Sequence, residues 1–289
     1  MLAVAIGSGY KTFTSWIEGI YGFLGTAVTD AIDVLDSDMS DVPATIMNTI
    51  NSGISGIAYA VVALLFMVEL LTVLLDKGED LRWTDGIVVG MKAVISKEIV
   101  SWAALFMDAV FGLISSAMPT TSDDDKANMI SYINRIGDGY IEGFNEEDGM
   151  SALAENIVNF ASCILPVSIV LITAILILVM AYARGFELSI LKSLSPIAYS
   201  FLPFKGTQDI TKRYTLNFAS VCLQAIVIVL CVYLYVGLQT TLYNKDIVDL
   251  CADEAAMADY KFKSLVYAVL LVFGMVSSSK WAKAVVGAN

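Results

Sequence analysis

The sequence predicts an all-α, polytopic membrane protein with about five transmembrane helices, its N-terminus outside the cell and its C-terminus in the cytoplasm. Three observations carry this. Of 289 residues, 57% are hydrophobic and only 16% charged, with a mean hydropathy of +0.72, where a soluble domain sits near 45 to 50% apolar and about 25% charged. Apolar runs of about 20 residues recur along the chain, each long enough to cross roughly 30 Å of hydrocarbon. Lysines and arginines gather in some connections and acids in others, as they do in a chain with a fixed orientation.

Composition also excludes classes of chemistry. There is no histidine, which removes the commonest general base and the commonest metal ligand. Cys163, Cys222, Cys231 and Cys251 show no C-x-x-C spacing, and the first three lie in or beside apolar runs, where cysteine acts as a small hydrophobe. No metal, cofactor or disulfide framework is expected. A net charge of −12 and a pI of about 4.4 argue against a surface that coats nucleic acid. No P-loop and no G-x-S-x-G elbow is present, since Lys205-Gly206 stand in the wrong order. No cleaved leader is expected either, because Lys11 follows the first apolar stretch and does not precede it.

Residues 1–53 form an extracytoplasmic amphipathic region. Ile17, Ile20, Tyr21, Leu24, Val28, Ile32 and Leu35 recur at spacings of three and four, with Glu18, Asp30, Asp33 and Asp36 off the stripe. Its polar face is acidic, unlike that of most membrane-surface helices. Contact with a partner protein or neighbouring subunit, interfacial anchoring, and an extra tilted span therefore all remain open.

The first span runs from about Ile54 to Leu75, with Glu69 near its cytoplasmic end, where snorkelling accounts for it. The second, about Ile87 to Met118, carries Lys92, Lys97, Glu98 and Asp108, too many charges for a lipid-exposed helix. At 100° per residue, Lys97, Ser101, Asp108 and Ser115 fall on one polar stripe facing protein or water, while Val94, Trp102, Phe106 and Val110 point elsewhere. Asp108 near mid-membrane is either a functional ionisable group or a residue that joins helices through a neighbour such as Gln224.

Residues 119–162 read as an acidic extracytoplasmic loop. Lys126 and Arg135 face Asp123, Asp124, Asp125, Asp138, Glu142, Glu146, Glu147, Asp148 and Glu155. Gly137, Gly139, Gly143 and Gly149 among them lack calcium-loop spacing. Tyr132, Tyr140 and Phe144, with Ile133, Ile136 and Ile141, predict a small helix within it that docks on something.

Residues 163–289 hold three further spans, about Cys163 to Ala183, Leu216 to Leu238 and Ser264 to Trp281. Between the first two of these lies segment 184–213. Its bases Arg184, Lys192, Lys205, Lys212 and Arg213 outnumber Glu187 and Asp209, which places it in the cytoplasm. Lys192, Pro196 and Pro203 interrupt its apolar core, Leu188 to Phe204, so a short helix at the membrane face or a re-entrant hairpin is expected. Glu187 and Lys192 stand five apart, just outside ideal pairing. Arg184, Lys205, Lys212 and Arg213 form a basic collar that sets topology or docks an ATPase or lipid phosphates.

An arginine after a long span, a leucine-rich helix, the run Leu194-Ser195-Pro196-Ile197-Ala198, Phe204, then Thr207 and Leu216 resemble the core of the TrbL-type polytopic subunit of type IV secretion and conjugative transfer systems. Arg184, Ser195, Pro196, Pro203 and Thr207 are the residues that carry the likeness, and Tyr214 stands where that family often has a tryptophan. The resemblance covers about residues 160–240 in sequence and the rest in topology. It implies a non-enzymatic channel or scaffold subunit in a bacterial inner or plasma membrane. It further implies a homo-oligomer working with other machine subunits, including cytoplasmic ATPases, and passing nucleic acid or protein cargo transiently. The rival reading is a secondary transporter or ion channel relaying charge through Asp108, Lys97 and Glu69. Such proteins show inverted repeats with twin broken helices, and only one broken segment is visible.

Overall fold

The computed structural model describes residues 2–36, 44–78, 82–117, 122–141, 150–250 and 254–287. They form α1 (Leu2–Asp36), α2 (Ala44–Lys77), α3 (Trp83–Ser115), α4 (Asp123–Ile141), α5 (Met150–Tyr199), α6 (Gln208–Leu250) and α7 (Glu254–Val286), with no strand among the described residues. Five segments are long and apolar enough to cross a bilayer: Thr49–Lys77, Trp83–Ser115, Asn156–Tyr199, Gln208–Leu242 and Ala258–Val286. Each holds one span expected from the sequence, although Met118, the expected end of the second, lies outside the described residues. Glu142 to Gly149 and Cys251 also lie outside them.

The chain divides into two compact units. The first comprises Met1–Leu35, Pro119–Ala183 and Ile226–Ser278. Within it, every residue of the α1 stripe, from Ile17 to Leu35, is buried, and Glu18, Asp30 and Asp33 are exposed. The occupant of the stripe belongs to the same chain. A Cβ on Gly25 would lie 3.5 Å from Ile130 of α4, and one on Gly137 of α4 would lie 3.1 Å from the Tyr21 ring. Those glycines let two helix backbones approach closely. Lys126 of α4 pairs with Asp33 of α1, and Phe13 stacks on Phe160 of α5 with centroids 4.2 Å apart.

The expected acidic loop is thus largely helical, through α4 and the start of α5. Ser122 opens α4 with a reciprocal cap: its hydroxyl and N–H donate to Asp125, and the Asp125 N–H donates back at 3.2 Å. The Ser122 hydroxyl and N–H hold the Asp125 carboxyl below its ordinary range. Ile133, Ile136 and Tyr140 are buried as the docking helix required, whereas Tyr132 is 40% exposed.

Four tyrosines from four helices meet in this unit. Tyr21, Tyr140, Tyr235 and Tyr260 are all buried, the Tyr140 ring lying 5.7 Å from Tyr21 and 5.6 Å from Tyr260. Tyr260 donates to the Ile136 carbonyl at 3.2 Å. Burial pushes the Tyr140 phenol up to about 12 and raises Tyr21 as well, because removal from water disfavours the phenolate.

The second unit comprises Asp36–Met118, Arg184–Ala225 and Ser279–Asn289. Its core joins Ala103 and Met107 of α3 to Tyr199, Phe218 and Cys222, with Leu188, Leu191 and Tyr214 packed around them. A second cluster sets Ala58 and Val62 of α2 and Val100 of α3 against Ile197. The face of α3 that it buries is therefore Val89, Ser96, Val100, Ala103 and Met107. Ser96 and Ala103 there are small residues of the kind that admit close helix approach.

Candidate functional site

The segment 184–215 is built around a problem in backbone hydrogen bonding. The sequence led to a short separate helix or hairpin over 187–204. Instead, α5 runs unbroken to Tyr199 with Pro196 inside its last turn. Proline lacks an N–H, so the carbonyl four residues earlier, that of Lys192, loses its donor. The Ser195 hydroxyl, fully buried, donates to that carbonyl at 2.7 Å. Serine immediately before the proline thus supplies what the proline removes, and the helix continues.

Other hydroxyls complete the helix end, whose last carbonyls have no intrahelical donor. Thr211 of α6 donates to the Ala198 carbonyl at 2.7 Å and Ser200 to that of Ile197 at 2.6 Å. Ser96 of α3 donates to the Ser200 carbonyl at 2.9 Å. Tyr214 donates to the Leu191 carbonyl, and Tyr199 shares a 3.0 Å bond with Thr215. Thr207 closes the turn before α6 through bonds to Phe201 and Phe204 at 2.9 and 3.1 Å. Gly206 holds a φ of +88°, a left-handed conformation open to glycine at no steric cost. Pro203 lies in this turn, where its missing N–H disrupts no helix.

The charged candidates separate into pairs. Asp108 is paired with Lys192 of α5 at 2.5 Å, not with the Gln224 that the sequence offered. Glu69 is paired with Lys92 of α3, with both side chains about four-fifths buried, so snorkelling is not its explanation. Glu187 turns to Arg184 one helical turn away, and not to Lys192. Lys77 meets Asp85 at 2.7 Å across the α2–α3 turn.

The polar stripe does not act as one face. Lys97 and Ser101 are exposed, Ser101 donating to the Glu98 carbonyl at 2.7 Å, and Ser115 donates to Gly112 at 3.2 Å. Only Asp108 reaches another helix. Nor is Val94, Trp102 or Phe106 the packed face, at 63%, 67% and 48% exposure. Glu69, Lys97 and Asp108 are not brought together, since Glu69 and Asp108 pair with different lysines. Of the collar, Arg184 is paired, while Lys205, Lys212 and Arg213 are exposed.

Ser96, Tyr199, Ser200, Thr211 and Thr215 were not singled out by sequence reasoning. The available signal was a hydroxyl beside or facing a proline in an otherwise apolar stretch, where an unmet carbonyl is costly. Tyr214, noted only as a departure from a tryptophan, proves to be a donor.

No curated protein sequence and no solved structure matches the chain. The family model described as TrbL/VirB6 plasmid conjugal transfer protein matches residues 84–278, which include this segment together with α3 except for Trp83, all of α4, α5 and α6, and most of α7. With 195 of 289 residues matched and five helices fit to span a bilayer, the chain belongs to the TrbL/VirB6 family of plasmid conjugal transfer proteins and is a multi-pass component of a bacterial membrane.

Proposed function

We propose that this protein is the membrane-embedded channel or scaffold subunit of its conjugal transfer machine. It is non-enzymatic and assembles as a homo-oligomer around or beside the path taken by DNA or protein cargo. The observation that carries the reading is the family match lying over four of the five bilayer-spanning helices and over the hydroxyl-closed end of α5. In this reading α4 and the start of α5 face the outside, and segment 184–213 faces the cytoplasm, where Lys205, Lys212 and Arg213 meet an ATPase of the machine or lipid phosphates. The net charge of −7 over 119–162, from the two bases and nine acids named above, makes a wall that does not hold a polyanion tightly.

The relay reading through Asp108, Lys97 and Glu69 has less support, because two of those residues are committed to separate lysines. The deciding experiment deletes the gene from the transfer-proficient element and complements it in trans. Loss of donor transfer with normal growth, restored by the intact gene, is the expected result. Unchanged transfer frequency, or a purified particle with the mass of one copy, overturns the proposal.

A further inference from the structure

Within the second unit, an open groove of about 1010 Å³ runs between α3 and the start of α6. Its walls are apolar: Trp102, Leu105 and Phe106, each about half exposed or more, face Leu202 and Leu216. Three charged side chains also line it, Glu98 of α3 and Asp209 and Lys212 of α6. All three are exposed, and none is paired with another side chain among the described residues. They contrast with Glu69, Lys92, Asp108 and Lys192 in the same unit, which are all paired.

A groove of this kind on a membrane-spanning helix matches a ligand with a long apolar part and a head carrying both signs of charge. The volume is at the upper end of the roughly 300 to 1,000 Å³ that small-molecule sites occupy, large enough for acyl chain and head group together. One ammonium against two carboxylates is a poor match for a purely anionic head, which would meet more repulsion than attraction. A second copy of the chain would have to place charges opposite these three in an otherwise apolar contact, at a cost in desolvation. We propose that this groove is a binding site for a zwitterionic phospholipid, whose phosphate meets Lys212, whose primary ammonium meets Glu98 and Asp209, and whose acyl chain lies along Trp102, Leu105 and Phe106.

The test uses the full-length protein in vesicles holding equal parts of phosphatidylethanolamine, phosphatidylglycerol and cardiolipin, followed by detergent extraction and mass spectrometry of the lipid that stays bound. Phosphatidylethanolamine is expected to be retained above its share. Lys212→Gln should lower its retention about fivefold, the effect of one basic side chain near a phosphate. The double variant Glu98→Gln, Asp209→Asn should shift retention toward phosphatidylglycerol. All three positions are exposed, so these variants keep the packing, and monodisperse elution checks that they do. Equal retention of the three lipids, or head-group preferences unmoved by the variants, overturns the proposal. So does a Trp102→Cys protein that forms disulfide-linked dimers in the membrane, which would show a second copy in the groove.

Discussion

Ser195 is a test of how backbone hydrogen bonding decides the path of α5. Its hydroxyl is the donor that Pro196 denies to the Lys192 carbonyl, and an unmet buried carbonyl costs about 1 to 3 kcal/mol. Ser195→Ala should therefore lower stability by about that amount. In a Pro196→Ala background, where an N–H is restored, the same change should cost a few tenths of a kcal/mol at most. A double-mutant cycle read by thermal unfolding in detergent checks this, and equal costs in both backgrounds would refute it. The sequence drew attention to this segment because two prolines in an apolar run are conspicuous. It could not reveal that the hydroxyls serve the carbonyls, since that depends on Ser96 of α3 and Thr211 of α6 arriving from distant positions. Charge pairing was opaque for the same reason. Asp108 and Glu69 were visible as intramembrane charges, whereas Lys192 and Lys92 as their partners follow from packing.

At the scale of the element, helix periodicity was the legible signal. The α1 stripe read from spacings of three and four is the stripe that is buried, because burying an apolar face needs no knowledge of what covers it. The cover itself, α4, was legible as a small helix within the acidic segment that docks on something, but not as the partner of α1. Close approach there rests on glycine. A methyl at Gly137 would lie 3.1 Å from the Tyr21 Cβ and from two atoms of its ring, and buried rings cannot shift freely in a packed core. Gly137→Ala is expected to destabilise the α1–α4 pairing by about 1 to 3 kcal/mol, the usual effect of overpacking. Hydrogen exchange should show it as faster exchange in α1 between Ile17 and Leu35, with α2 and α3 unchanged. Uniform loss across all helices would contradict a local effect. The α3 periodicity was misleading by comparison. A polar stripe and an apolar face were both apparent, yet the packed face is a third one that mixes Ser96 and Ala103 with Val89, Val100 and Met107, because close helix contact selects for size as well as hydropathy.

For the whole molecule, the number of spans was readable because hydrocarbon thickness imposes a length on any crossing helix. The extents were not, since α5 continues well beyond a single crossing. Asn156–Tyr199 is 44 residues long, about twice the roughly 20 residues that a single crossing needs. The proposed orientation rests on charge asymmetry, and it is testable. A cysteine at exposed Asp138 should react with a membrane-impermeant maleimide on intact cells, and one at exposed Lys205 only after permeabilisation. The reverse pattern would invert the topology.

The hydroxyl-closed end of α5 also dictates an order of biogenesis. Thr211 and Tyr214, which supply bonds to Ala198 and Leu191, leave the ribosome after α5 does, whereas Ser96 has already emerged. The final turns of α5 therefore stay incomplete until the nascent chain has extended past Tyr214. A ribosome stalled short of that point would leave the end of α5 open to protease, and one stalled beyond it would not.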